Sequence, residues 1–210
     1  MGSGYSSKVY KGIEDGKELK RYAIKVIELK NFSSSCLQLF DREIEIHRHL
    51  KHDNIVRCYD VIRTKTHIYM VMEYCPHGDL ASYIQQKKKL AEPAIADIMT
   101  QILNGYKYLV KEGILHRDLK PANVLRSGKV WKISDFGFSI RSGSFVDDIN
   151  VGTPLYMPLE SLSRSYYSVK TDIFALGVIL FELVHARTPW ECDSETELMK
   201  KLSNGESLRI

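Results

Sequence analysis

Ile114-Leu115-His116-Arg117-Asp118-Leu119-Lys120-Pro121-Ala122-Asn123-Val124-Leu125, followed by Lys132-Ile133-Ser134-Asp135-Phe136-Gly137, is the most specific stretch of this 210-residue chain. Hard magnesium ions prefer carboxylate and amide oxygens and keep substrate phosphates in their shell. Asn123 and Asp135 each offer one such oxygen ligand. Asp118 offers a carboxylate to an incoming hydroxyl, and Lys120 a cation to a phosphoryl group in transfer. A surface loop carrying these charges by accident is the bland alternative. Six specified residues at fixed spacing recur by chance on the order of once in 10^5 chains of this size, which leaves that alternative little weight.

Working outward towards the N-terminus, Lys25 sits in the strand-like run Tyr22-Ala23-Ile24-Lys25-Val26-Ile27. Glu43 lies beside Phe40, Ile44 and His47 on a face of helical spacing that reads as core-facing. A buried carboxylate is expensive unless paired, and a lysine on the neighbouring strand would pair it. The same ammonium could hold two phosphates. The close charges Asp41, Arg42, Glu45 and Arg48 leave open that Glu43 merely belongs to an exposed face. The opening, Gly2-Ser3-Gly4-Tyr5-Ser6-Ser7-Lys8-Val9, has two glycines close enough to bring backbone N–H groups to phosphates. It lacks the following helix of a dinucleotide site and the Gly-Lys-Ser/Thr of a Walker A loop. A plain hairpin turn is an equally open reading. The first six residues also fit an N-myristoylation pattern, but Gly2 has the better use in the loop.

The surrounding pattern divides in two. Strands are predicted over 22–27 and 67–72, with a helix over 37–50 between them. Pro76-His77-Gly78 breaks the pattern. Beyond it, 94–109 places Ile95, Ile98, Ile102, Tyr106 and Leu109 on one helical face. Residues 171–184 are apolar nearly all round, which predicts a helix buried in mid-domain. Lys87-Lys88-Lys89 reads as a solvated helix end.

Composition bounds the answer further. Hydrophobic residues are 44% and charged residues 27%, which is globular and excludes disordered, collagen-like and coiled-coil chains. Thirty Lys and Arg against 26 Asp and Glu give a net charge of +4, suited to acidic ligands such as nucleotides. That charge alone does not argue for nucleic-acid binding, and none is expected. Cys36, Cys58, Cys75 and Cys192 form no CxxC pair and read as reduced, packed thiols of a cytosolic or nuclear protein, with the cytoplasm the expected location. No apolar run is long enough to span a bilayer, and none at the start resembles a secretory signal.

Taken in order, the Gly-rich loop, Ala23-Ile24-Lys25, Glu43, His116-Arg117-Asp118, Asp135-Phe136-Gly137, Gly152-Thr153-Pro154 with Glu160, and Asp172 resemble the eukaryotic protein kinases over essentially the whole chain. The resemblance implies an α+β, two-lobed fold. A small β-rich N-lobe with one helix would occupy 1–75, and a mainly helical C-lobe 76–210. ATP and Mg2+ would sit in the cleft between them. Gly2, Ser3 and Gly4 would cover the phosphates, and Val9, Ala23 and Leu125 would sandwich adenine. Glu73 and Cys75 would form the hinge behind a Met72 gatekeeper, and Asp79 would reach the ribose. Lys25 would hold phosphates and pair with Glu43; Asn123 and Asp135 would be the metal ligands; Asp118 would be the catalytic base, assisted by Lys120. Lys120 and Thr153 resemble the serine/threonine branch, which implies protein substrates presenting serine or threonine. A regulatory partner is compatible with this. Asp135-Phe136-Gly137-Phe138 and Gly78-Asp79-Leu80-Ala81-Ser82-Tyr83-Ile84 look most like the Unc-51-like, autophagy-initiating kinases, with calcium/calmodulin-dependent relatives next.

Departures from the family pattern carry their own expectations. Ser7 replaces the third loop glycine, and Pro158-Leu159-Glu160 replaces Ala-Pro-Glu. The family's first strand would begin before Gly2, and its last helices, with the arginine that pairs with Glu160, would follow Ile210. A fragment of this kind could instead be a weak or silent nucleotide-binding or scaffold module. The position where relatives carry a regulatory phosphate is Ile149, so Asp148 is expected to supply part of the anion for Arg117, with Ser142 and Ser144 as other phosphosites. The apolar stack joining the lobes would contain His47, Cys58, His116 and Phe136. A histidine there is either a pH-sensitive element or a neutral, hydrogen-bonded one.

Overall fold

The computed structural model describes residues 3–4, 7–14, 20–29, 34–141 and 151–205, and of residues 3, 4, 7 and 34–40 it describes the backbone alone. An antiparallel sheet opens the chain, formed by β1 (Ser3–Gly4), β2 (Ser7–Ile13), β3 (Arg21–Glu28), β4 (Cys58–Arg63) and β5 (His67–Glu73). Its strand order is β1-β2-β3-β5-β4. The register sets Val9 opposite Lys25, Lys25 opposite Met70, and Ala23 opposite Met72. Directly opposed residues project to one side of an antiparallel sheet. Alternation along each strand therefore puts Val9, Ala23, Lys25, Met70 and Met72 on a single face.

The helix α1 (Ser34–His49) packs across this sheet. Its Glu43, Ile46 and His47, with Leu50 just beyond, are buried at the spacing of one helical face. The loop after α1 then runs beside a second sheet. Val56 N donates to Ile133 O at 2.9 Å and Ile133 N to Asn54 O at 2.9 Å. These two bonds tie the sheet-rich lobe to the strand that leads into Asp135.

The second lobe is helical. It contains α2 (Leu80–Lys87), α3 (Glu92–Lys111), α4 (Leu159–Arg164), α5 (Val169–His185) and α6 (Glu195–Ser203). Two short two-stranded sheets pair β6 (Ile114–Leu115) with β9 (Ile140–Arg141) and β7 (Val124–Ser127) with β8 (Val130–Ile133). All five apolar positions expected on the inner face of α3 are buried. A capping box at Ser168 and Thr171 starts α5 by satisfying backbone donors that have no partner inside the helix. The triple-lysine run straddles the end of α2 at Lys87, and all three lysines are exposed.

One expectation needs correction. The helix over 171–184 is not buried all round. Ala175, Leu176, Val178, Ile179 and Leu183 face the core, whereas Ile173, Leu180 and Val184 are 55%, 43% and 50% exposed. Its composition is apolar on every side, but among the described residues its main contacts are with α3 and the turn at residues 154–156, and these leave the three side chains uncovered.

Candidate active site

The short strand β6 delivers His116, Arg117 and Asp118 to the cleft. Arg117 has φ 67°, a left-handed conformation that costs a non-glycine residue about 1–3 kcal/mol. Asp172, 1% exposed at the start of α5, holds that bend: its carboxylate accepts from His116 N at 2.8 Å and Arg117 N at 2.9 Å. Asp118, itself buried, is surrounded by donors. Lys120 Nζ lies 2.8 Å from its Oδ2, Thr153 Oγ1 donates to its Oδ1 at 2.7 Å, and Asn123 Nδ2 donates to its Oδ2 at 3.0 Å. Lys120 Nζ also donates to Thr153 Oγ1 at 2.7 Å. Asn123 spends its other amide donation on Asp118 O at 2.8 Å, so the amide oxygen remains as a hard ligand.

Facing this cluster across the cleft, Lys25 Nζ meets Glu43 Oε1 at 2.6 Å and Asp135 Oδ1 at 3.4 Å. Burial would depress the Lys25 ammonium, but the Glu43 and Asp135 carboxylates outweigh it and hold its pKa above the ordinary value. The Asp135 carboxyl would be pushed up by burial, yet Lys25 beside it holds it below the usual range. Both groups are thus charged at neutral pH. The alternative of an exposed Glu43 is excluded: it is 4% exposed and paired. Asp135 has φ 61° and lies two residues past the end of β8. A lysine bridging two acids, one of them beside an amide-bearing loop, is an arrangement suited to a polyphosphate and a magnesium ion. The oxygen donors of Asp135 and Asn123 fit such an ion, whose remaining positions phosphate oxygens and water fill.

The residues expected to face a nucleotide lie on several different elements. Val9, Ala23 and Met72 share the Lys25 face of the sheet, and Leu125 in β7 bridges to Asp79. Glu73 ends β5 and Cys75 follows, half-buried, with its thiol pushed up to about 12 by burial and so unreactive. Asp79 caps α2, accepting from Ser82 N at 2.8 Å and Ser82 Oγ at 3.0 Å. Ser3 and Gly4 pair with Lys8 and Ser7 in β1 and β2. Gly2 lies outside the described residues, as do Ser142, Ser144, Ile149 and the acidic pair Asp147 and Asp148. A hollow of about 560 Å³ elsewhere, lined by His52, Asn104, Lys107 and Tyr108 among others, includes none of these residues.

The protein kinase domain family matches residues 1–209. This chain belongs to that family. It is 39% identical over 97% of its length to the serine/threonine-protein kinase atg1 of Dictyostelium discoideum, of which it covers 32%. Human serine/threonine-protein kinase ULK1 is 34% identical over 94% of this chain, which covers 20% of ULK1. Human Nek2 is 38% identical over 93%, with 46% of Nek2 covered. The chain thus spans less than half the length of each of these relatives.

Within this kinase domain, Phe136 lies between His47 and His116, its ring tilted against both, with centroids 4.7 and 5.2 Å apart. His47 is 1% exposed and its Nε2 lies 2.7 Å from Val56 O. A carbonyl only accepts, so Nε2 carries the proton and Nδ1 is an acceptor with no partner among the described residues. Burial drives its pKa down to about 4. The pH-sensitive reading is therefore corrected: the imidazole stays neutral throughout pH 6–8, as the hydrogen-bonded alternative requires.

Two features of this kinase domain were not singled out in the sequence. Lys132 Nζ pairs with Glu73 Oε1 at 3.1 Å and donates to Asp53 O at 2.7 Å, linking the end of β5, the α1–β4 loop and β8. The acid and the base lie 59 positions apart, so no local periodicity signals them. The other feature is Tyr167. Its hydroxyl accepts from Val151 N and donates to Val151 O, both at 2.7 Å.

Proposed function

We propose that this chain transfers the γ-phosphoryl group of magnesium ATP to serine and threonine hydroxyls of protein substrates. The observation that carries the reading is the set of three contacts around Asp118, from Lys120, Thr153 and Asn123. In this reading Lys25, positioned by Glu43, clamps the phosphates, and the backbone of Gly2, Ser3 and Gly4 closes over them. Val9, Ala23, Met72 and Leu125 exclude water from the base, Glu73 and Cys75 offer hinge backbone groups, and Asp79 meets the ribose. Asn123 and Asp135 hold magnesium. ATP supplies the phosphoryl group, and the ion neutralises charge that builds on it. Asp118 orients the substrate hydroxyl and accepts its proton, while Lys120 steadies the transferred group. Such catalysis rests on positioning and electrostatics.

In the same reading, 1–75 and 76–210 are the two lobes, and the protein works in the cytoplasm, which is compatible with a regulatory partner. No helix among the described residues is long and apolar enough to cross a membrane. The serine/threonine relatives and the Lys120–Thr153 pair support the substrate class. The test is to incubate the chain with γ-labelled magnesium ATP and a generic protein, then hydrolyse the product. Label on phosphoserine and phosphothreonine is expected. Label on phosphotyrosine, or none at all, contradicts the reading.

A further inference from the structure

Tyr167 stands between α4 and α5 and is 8% exposed. A hydroxyl bonded to both the N–H and the C=O of one residue does what a neighbouring strand would do: it fixes that peptide in position. Burial pushes the phenol up, so it keeps the proton it donates to Val151 O. The ring of the same side chain covers Arg117, whose guanidinium lies 5.1 Å from its centroid. Arg117 Nε donates to Phe138 O at 2.6 Å, and no ion pair among the described residues includes Arg117. A π-face is a favourable neighbour for a guanidinium.

What lies on either side of these contacts gives them meaning. Arg117 immediately precedes Asp118. Val151 precedes Gly152 and Thr153, and Thr153 Oγ1 is the donor to Asp118 Oδ1. Gly152 has φ 115°, and a Cβ there would stand 2.7 Å from Arg117 O, so the two segments are in close register. Tyr167 thus grips both partners of the Thr153–Asp118 contact, each within two residues of the atoms that meet.

We propose that Tyr167 is a positioning residue for phosphoryl transfer: by clamping the Val151 peptide and covering Arg117, it sets Thr153 against Asp118. This rests on the reading of the chain as a phosphotransferase.

The test combines kinetics and hydrogen exchange on the chain, Tyr167→Phe and Tyr166→Phe, with magnesium ATP and a generic protein substrate. Tyr167→Phe keeps the ring but loses both hydrogen bonds to Val151. Displacement of catalytic groups on the ångström scale costs up to about a hundredfold, so kcat is expected to fall about tenfold. KM for ATP should stay the same, and the Val151 amide should exchange faster. Tyr166 is 61% exposed, and its variant should match the unaltered chain. In a Thr153→Ala background, Tyr167→Phe should cost little more, because the contact it serves is already gone. An unchanged kcat, an equal additional loss in the Thr153→Ala background, or unchanged Val151 exchange would each overturn the proposal. An unaltered chain that transfers nothing would instead defeat the phosphotransferase reading, and Val151 exchange would still decide whether the clamp exists.

Discussion

Lys25 is the residue at which burial and charge oppose each other most directly. Its ammonium is tolerable in a nearly dry position because Glu43 and Asp135 flank it. Removing it leaves a buried carboxylate unpaired, which typically costs about 3–5 kcal/mol. Lys25→Met is therefore expected to lower the melting temperature and to abolish the stabilisation that magnesium ATP gives the unaltered chain; differential scanning fluorimetry reads both. His47 makes the opposite case, a base kept neutral by burial. Folded, it protonates near pH 4, whereas unfolded it does so near pH 6.5. Between those values the unfolded chain binds more protons, so stability falls as pH drops through that window and is independent of His47 above it. The full effect is on the order of 3 kcal/mol. Urea melts at pH 7.5 and 4.5 should show a smaller acid loss for His47→Leu than for the unaltered chain, and an equal loss would contradict this account.

At the scale of elements, close approach matters more than propensity. Gly105 in α3 faces the loop after α1, where an added Cβ would stand 2.7 Å from Asn54 O. That loop carries the backbone bonds to Ile133. Overpacking a well-filled contact costs about 1–3 kcal/mol, so Gly105→Ala should destabilise the fold by that amount, measured by denaturant unfolding, although alanine is the better helix former. The elements legible in the sequence are those whose own side chains announce them. β3, β5, α1, α3 and α5 all lie where periodicity puts them, within a few residues at each end. The helix α2 carries a weaker pattern, and α4 spans only six residues, too few to show a period. The residues of the candidate site were legible as chemistry, because Asp118, Asn123 and Asp135 lie within one short stretch. Their supports were not. Thr153 reaches Asp118 across 35 positions, and Glu73 reaches Lys132 across 59, distances that only the folded chain closes.

For the whole molecule, two cores meet at the cleft. Ile27, Cys58, Ile68 and Met70 form the core of the sheet, and a larger helical core extends up to Ile46 and Leu50 of the α1 region. Phe136 belongs to that larger core and touches His47 above and His116 below. The lobes are therefore joined through the residue next to Asp135, so the placement of α1, and with it Glu43, is coupled to that of the loop carrying Asp135. With Lys25 paired and Asp118 fully engaged, the two halves of the site are assembled at once, ready for phosphoryl transfer in the proposed reading. The most direct measurement is single-turnover transfer from magnesium ATP to a protein substrate by the unaltered chain and by Asp118→Asn, with ATP-induced stabilisation recorded on the same samples. The account predicts transfer by the unaltered chain and a loss of about a hundredfold or more in the variant, the share that a positioned base supplies, with ATP stabilisation retained in both. Equal rates in the two proteins, or ATP binding without transfer in either, would contradict it.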